Sequence, residues 1–214
     1  MMVGFPSPHC PYDPPAEIAR MFDPVDMPSC IPPTEASEIL RPWLIENMRK
    51  SWADIDYSDF TDAQKSTVRA HYSALIHLVD VAVGRIFSAL EEYELADNTV
   101  IAFASDHGDF VGDFGLVCKN FFMDGSVRVP LILHEPGQMA QRRVDTVTLS
   151  DLYPTFLRIA GIAPRQPLSF HDLGVPVPDR AIFGATHRGF MVEKNYIKLS
   201  KYTGGLVTLY DITQ

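Results

Sequence analysis

Between Thr61 and Tyr93, apolar residues return every three or four positions: Val68, Tyr72, Leu75, Ile76, Val79, Val83, Ile86, Phe87 and Leu90. One face of an α-helix has that period, so the spacing predicts a long amphipathic helix. Thr61 with Gln64 has the form of a capping box at its start, and the helix should end near Tyr93, before Ala96-Asp97-Asn98. The pattern then changes. Thr99-Val100-Ile101-Ala102-Phe103-Ala104 is continuously apolar or β-branched and predicts a buried strand over 99–105. Val129-Pro130-Leu131-Ile132-Leu133-His134 predicts a second buried strand, with Pro130 near its start. A short helix is expected over 151–161, where Pro154 suits the first turn and Gly161 the C-terminal cap.

The flanks read differently. Residues 5–33 are punctuated by Pro6, Pro8, Pro11, Pro14, Pro15, Pro24, Pro28, Pro32 and Pro33, which rules out a helix interior or central strand and predicts an ordered loop over a surface or crevice. A helix is expected over 35–52, including Leu40, Trp43, Leu44 and Met48, with Pro42 confined to a first turn or a kink. Beyond about residue 165, short segments at 181–185, 196–201 and 206–210 alternate with glycine and polar turns, the texture of a small antiparallel sheet. No internal repeat is present. The chain therefore reads as α/β, with a larger region over 1–165 and a smaller one over 166–214.

Candidate chemistry sits where the first strand ends, at Ser105-Asp106-His107-Gly108-Asp109. Open α/β sheets place their ligand-binding groups at such strand ends. A carboxylate beside an imidazole suggests a divalent cation, and Lys119, thirteen residues on, offers a positive charge for an anionic ester. Each residue also has a plainer reading. Asp after a strand commonly caps a turn, Lys119 suits a surface, and His9 could bond a backbone carbonyl in its proline-rich loop. Asp109 and Asp113 suit turns or caps, Arg128 an anchor for the loop before the second strand, and Phe121-Phe122 the core in preference to a cation cage. His77 suits packing or the surface, and His71, His134, His171 and His187 have no motif around them.

The ordered series over 67–136 resembles the sulfatase branch of the alkaline-phosphatase superfamily: helix, strand, Ser-Asp-His-Gly-Asp, glycine-bearing loop, Lys119, then Gly125-Ser126-Val127-Arg128-Val129-Pro130-Leu131-Ile132. Pro8-His9-Cys10-Pro11 is similar to the family's Pro-His-x-Pro loop, and Val79-Asp80 with Gly84-Arg85-Ile86 to the helix before its metal strand. Asp151-Leu152-Tyr153-Pro154-Thr155 with Ala160-Gly161-Ile162, and Leu209-Tyr210-Asp211-Ile212, match further family phrases. Gly108-Asp109, Asn120-Phe121-Phe122 and Gly125-Ser126 look most like choline sulfatases.

The resemblance implies an alkaline-phosphatase-like mixed sheet flanked by helices, followed by the start of a small C-terminal antiparallel sheet. It implies Asp106 and His107 as metal ligands, Lys119 on the ester's non-bridging oxygens, and His9 near the bridging oxygen, able to protonate the leaving group. The implied cofactor is a divalent metal, Ca2+ ahead of Mg2+ or Mn2+, and the implied substrate a small sulfate ester such as choline sulfate. Two departures stand out. Gly112-Asp113-Phe114-Gly115 lacks a polar residue that relatives carry, and the 214 residues contain no Cys-x-Pro-Ser-Arg, the pentapeptide in which family sulfatases form their formylglycine nucleophile. The match covers the second half of a family member. The expectation is therefore a truncated hydrolase, inactive alone, whose formylglycine and remaining metal ligands belong to a missing N-terminal half.

Composition refines this picture. A formal net charge of −9 disfavours nucleic acid and anionic membranes as partners. Neither a leader sequence nor an uninterrupted apolar run of about 18 residues is evident, so no membrane segment is expected. Cys10, Cys30 and Cys118 show neither CxxC spacing nor a disulfide framework, which slightly favours a reducing, cytoplasmic setting. Two other functions stay open. One is a phosphonate monoester or phosphodiester hydrolase of the same superfamily; the other is a non-catalytic half-domain that binds an anion or a partner, or self-associates through an exposed sheet edge.

Overall fold

The computed structural model describes residues 1–49, 60–119 and 121–213. Its helices are α1 (Ala16–Ala19), α2 (Glu35–Arg49), α3 (Asp62–Glu92), α4 (Asp124–Val127) and α5 (Leu152–Ile159). Its strands are β1 (Ile101–Ala104), β2 (Leu131–His134), β3 (Ile182–Thr186), β4 (Gly189–Lys194), β5 (Ile197–Tyr202) and β6 (Val207–Asp211). They gather into two compact units, Met1–Val100 with His107–Val129, and Ile101–Asp106 with Pro130–Gln214.

In the first unit, α3 begins as its sequence requires. Gln64 N–H donates to Thr61 Oγ1 at 3.3 Å while Thr61 N–H donates to Gln64 Oε1 at 2.8 Å, so two orphan donors are satisfied reciprocally. Tyr93 caps the other end. Ala70 and Ala74, one turn apart, are fully buried, and beside them α3 serves the proline-rich segment. Prolines lack an N–H, so that loop has few backbone donors; local turns satisfy some of its carbonyls, as His9 N–H does for Pro6 O, and side chains satisfy others. Arg69 donates to the carbonyls of Pro28 (3.0 Å), Ser29 (3.3 Å) and Val111 (3.1 Å), and His71 Nδ1 meets the carbonyl of Tyr12 at 2.9 Å. His71, which no motif marked, is thus a clasp on the loop.

Pro42 lies inside α2, neither ending nor confining it; residues 50–52 of the expected helix lie outside the described residues. Buried Leu40, and Trp43 against the ring of Phe121 at 6.0 Å, tie α2 into the unit. The core is aromatic: Phe110, Phe121 and Phe122 are buried with Leu116 and Val117, and Phe110 meets Phe121 edge-on at 6.1 Å. One expectation needs correcting. By length and composition alone, α3 could cross a membrane, with an 18-residue stretch of mean hydropathy 1.6. A search for an uninterrupted apolar run passes over it because Asp80 and Arg85 interrupt the stretch. Near the start of that stretch, Arg69 and His71 bond loop carbonyls of the first unit.

In the second unit, β1 and β2 pair antiparallel, with Ile101 opposite His134 and Ala104 opposite Leu131. Both were expected to be buried, yet Phe103 and Ile132, which face each other, are exposed. A continuous apolar run has no alternation to show which side is covered. Strands β3, β4, β5 and β6 form an antiparallel meander in chain order. Strand β4 was missing from the expected segments. It begins at Gly189, where a Cβ would stand 2.4 Å from the carbonyl oxygen of Lys201, so a side chain there would drive the neighbouring strands apart. Helix α5 ends in a Schellman arrangement: Gly161, at φ 67°, donates to Arg158 O at 3.0 Å and Ile162 donates to Leu157 O at 2.9 Å.

Candidate active site

The loop after β1 is held by close backbone contact. Gly108 N–H donates to Ser126 O at 2.8 Å, and a Cβ on Gly108 would stand 2.2 Å from Gly125 O. Gly125 has its own constraint, since a Cβ there would lie 3.1 Å from the Phe110 ring. The two glycines let the segment carrying His107 lie directly against the start of α4. Further on, Phe110 N–H bonds Cys118 O at 2.9 Å and Gly112 N–H bonds Leu116 O at 2.7 Å, which folds the loop back and delivers Lys119.

Asp109 is the hub of this loop. Its Oδ1 accepts from Val111 N–H at 2.9 Å and Cys118 N–H at 2.8 Å, and its Oδ2 accepts from Tyr12 Oη at 2.8 Å. One carboxylate therefore joins the proline-rich loop to both limbs of the 109–118 loop. Burial and the neighbouring Asp109 charge push the phenol of Tyr12 far above its ordinary range and that of Tyr72 up to about 12. The same two causes raise the Cys118 thiol to about 12. Asp113 has a structural role as well, accepting from Ile31 N–H at 2.7 Å and pairing with Arg69. Arg128 is exposed and, among the described residues, pairs with Asp124 at 3.6 Å.

Three of the four expected site residues meet in the first unit. His9 Nδ1 donates to the carbonyl of Cys10 at 2.7 Å, which points Nε2 at Lys119, whose Nζ donates to it. The rings of His9 and His107 lie edge to face with centroids 5.8 Å apart. His107 Nδ1 donates to Gly108 O at 2.9 Å, which makes Nε2 the unprotonated nitrogen of the neutral ring. Asp106, exposed, precedes it directly in the chain. Among the described residues, no three histidine, cysteine or acidic side chains converge on one point. A carboxylate and an imidazole are donor types that divalent cations accept, so Asp106 and His107, each in its own unit, fit the implied metal by chemistry.

Asn120 lies outside the described residues, and Phe121 and Phe122 are core residues, 1% and 3% exposed. They cannot line a cation cage. Asp109 has the turn role expected of it, through Val111 N–H, but its pairing with Tyr12, which sequence reading missed, spans 97 positions and leaves no local signal.

Comparison with known proteins bears on this geometry. The Sulfatase family model matches residues 1–162. Mouse iduronate 2-sulfatase is 29% identical over 213 residues, covering 80% of this chain and 38% of that protein. An arylsulfatase of Clostridium perfringens is 30% identical over 181 residues, covering 81% and 37%. Among solved structures, a phosphonate monoester hydrolase of Agrobacterium radiobacter superposes with a TM-score of 0.80 at 25% identity, covering 96% of this chain and 49% of that one. The chain thus spans less than half the length of these relatives. The mixed α/β architecture expected from sequence is the one these neighbours share. With the motif order, the fold and the family match in agreement, the chain belongs to the sulfatase family.

Proposed function

We propose that this chain carries the anion-binding and leaving-group side of a metal-dependent sulfuric ester hydrolase. The observation that carries the reading is the meeting of Lys119, His9 and His107 in one unit, with His9 some 110 positions from Lys119 in the chain. Lys119 supplies a fixed positive charge for the non-bridging oxygens of the sulfuryl group, where charge held in place stabilises the transition state. His9 has Nδ1 committed to a carbonyl, so Nε2, once it carries a proton in place of the hydrogen bond from Lys119, is the atom that protonates the departing alkoxide. Asp106 and His107 would hold a divalent cation, with Ca2+ favoured by the carboxylate and Mg2+ or Mn2+ as alternatives. When bound, such a cation acts as a Lewis acid toward the ester oxygens. The nucleophile is not assigned to any of the 214 residues.

The substrate class is a sulfate monoester. Choline sulfate is the specific ester suggested by the motif over 108–126, although the burial of Phe121 and Phe122 removes one means of recognising choline. A phosphonate monoester is the second reading, supported by the superposition on a phosphonate monoester hydrolase, since the two tetrahedral anions share one geometry. Turnover of aryl sulfate, choline sulfate and an aryl phosphonate monoester by the full-length protein separates these readings. Asp106→Ala should abolish turnover; retained turnover would reject the site.

A further inference from the structure

Two thiols flank the His9–Lys119 pair, each next in sequence to one of its members. Cys10 follows His9, Cys118 precedes Lys119, and their Sγ atoms lie 3.6 Å apart. His9 Nδ1 is also 3.6 Å from Cys10 Sγ, and Tyr12 Oη is 3.9 Å from Cys118 Sγ. A disulfide needs sulfurs about 2.05 Å apart, so a closure of about 1.5 Å would join them. We propose that Cys10 and Cys118 are a reversible oxidation site, a dithiol that closes into a disulfide and thereby displaces His9 and Lys119 from their working positions. The functional part of this proposal rests on the active-site reading above; formation of the bond does not.

The pairing stands on geometry alone. Cys30, the third thiol, sits elsewhere, 3.9 Å from the carbonyl of Val111. Cys118 N–H is held by Asp109 and its backbone is left-handed at φ 64°, so its sulfur is presented by a rigid turn. The raised pKa of Cys118 keeps that sulfur a thiol at neutral pH, which favours slow exchange driven by an abundant oxidant over spontaneous reactivity.

The oxidant is a small disulfide of the glutathione class. One protein thiol loses its proton and attacks the reagent's S–S bond, forming a mixed disulfide and releasing one small thiol. The second protein thiol loses its proton and attacks the protein sulfur of that mixed disulfide, forming the Cys10–Cys118 bond and releasing the second small thiol. Two electrons pass from the protein sulfurs to the reagent, whose two halves leave as thiols.

The test treats the 214-residue chain with oxidised glutathione and maps its peptides without reduction. A peptide pair joined through Cys10 and Cys118 is expected, undiminished in Cys30→Ser and absent in Cys10→Ser. Glutathione adducts without the joined pair, or equally abundant links through Cys30, would overturn the proposal. In the full-length protein, the same oxidation should lower turnover by about a hundredfold, the loss expected when reacting groups move by about 1 Å. Reducing thiol should restore it, and the turnover of Cys10→Ser should not respond to the oxidant. A joined pair with unchanged turnover overturns the switch. Turnover that survives Asp106→Ala rejects the active-site reading instead and leaves the peptide result standing.

Discussion

The two units bury different things. The first buries rings and aliphatic side chains, Phe110, Phe121, Phe122, Leu116 and Val117, while the carboxylates of Asp109 and Asp113 organise its loops. The second buries charge. Asp151 is 0% exposed, accepts from Arg180 at 2.8 Å and 3.1 Å, and also takes the N–H groups of Thr148 (2.8 Å) and His171 (3.1 Å). Lys198, fully inside, meets Glu193 at 3.2 Å, and Ser200 lies beside it on the same face of β5. The opposite face of that sheet carries an apolar row across the four strands, Phe183, Val192, Leu199 and Leu209, exposed except at half-buried Val192. A hydrophobic pattern therefore reports the core of the first unit, whereas in the second Leu173, Met191 and Tyr202 share the interior with buried charge.

That contrast can be tested by breaking each unit at its own support. The largest effect is expected from Arg180→Leu, which leaves the Asp151 carboxylate buried without its cation and should cost about 3–5 kcal/mol. Hydrogen exchange should localise the loss to the second unit; equal loss in both would mean the units are not independent. Next comes Gly108→Ala, whose new methyl meets a backbone carbonyl that cannot swing away. About 2–3 kcal/mol is expected, confined to the first unit and read in the same exchange experiment.

Acid should separate the units further. Burial works to raise the Asp151 pKa, but Arg180 and the Thr148 and His171 N–H bonds outweigh it and hold the carboxyl below its ordinary range. The folded pKa is thus lower than the unfolded one. The carboxylate's contribution is complete above the unfolded pKa, about 4, and is lost as pH falls through the lowered folded value. Melting of the second unit should follow that acid limb, and Asp151→Asn should remove it; an unchanged limb would place the titration elsewhere. A smaller effect, about 1 kcal/mol, is expected from Thr61→Ala, which removes the capping oxygen of α3 and should appear in denaturant unfolding of the first unit. The smallest concerns association. Leu199→Lys places a charge in the exposed apolar row and should lower any self-association of the chain seen by sedimentation, without altering its melting.

Sequence by itself determined the elements whose signals are local. The α3 capping box, the period of its apolar face, the Gly161 cap of α5 and the order of motifs that marks the family all depend on residues a few positions apart, where one turn of helix or one bend decides the outcome. The nearness of candidate chemistry to the end of β1 was legible in the same way. Tertiary structure alone decided what those signals face: which side of β1 and β2 is covered, that Lys198 and Asp151 lie inside while Leu209 lies outside, and that His9 meets Lys119. It also turned Tyr12, Asp109, Cys10 and Cys118 into one cluster. The physical reason is that burial and through-space pairing are properties of surfaces brought together from distant positions, and no periodicity within a segment records which surface it will meet.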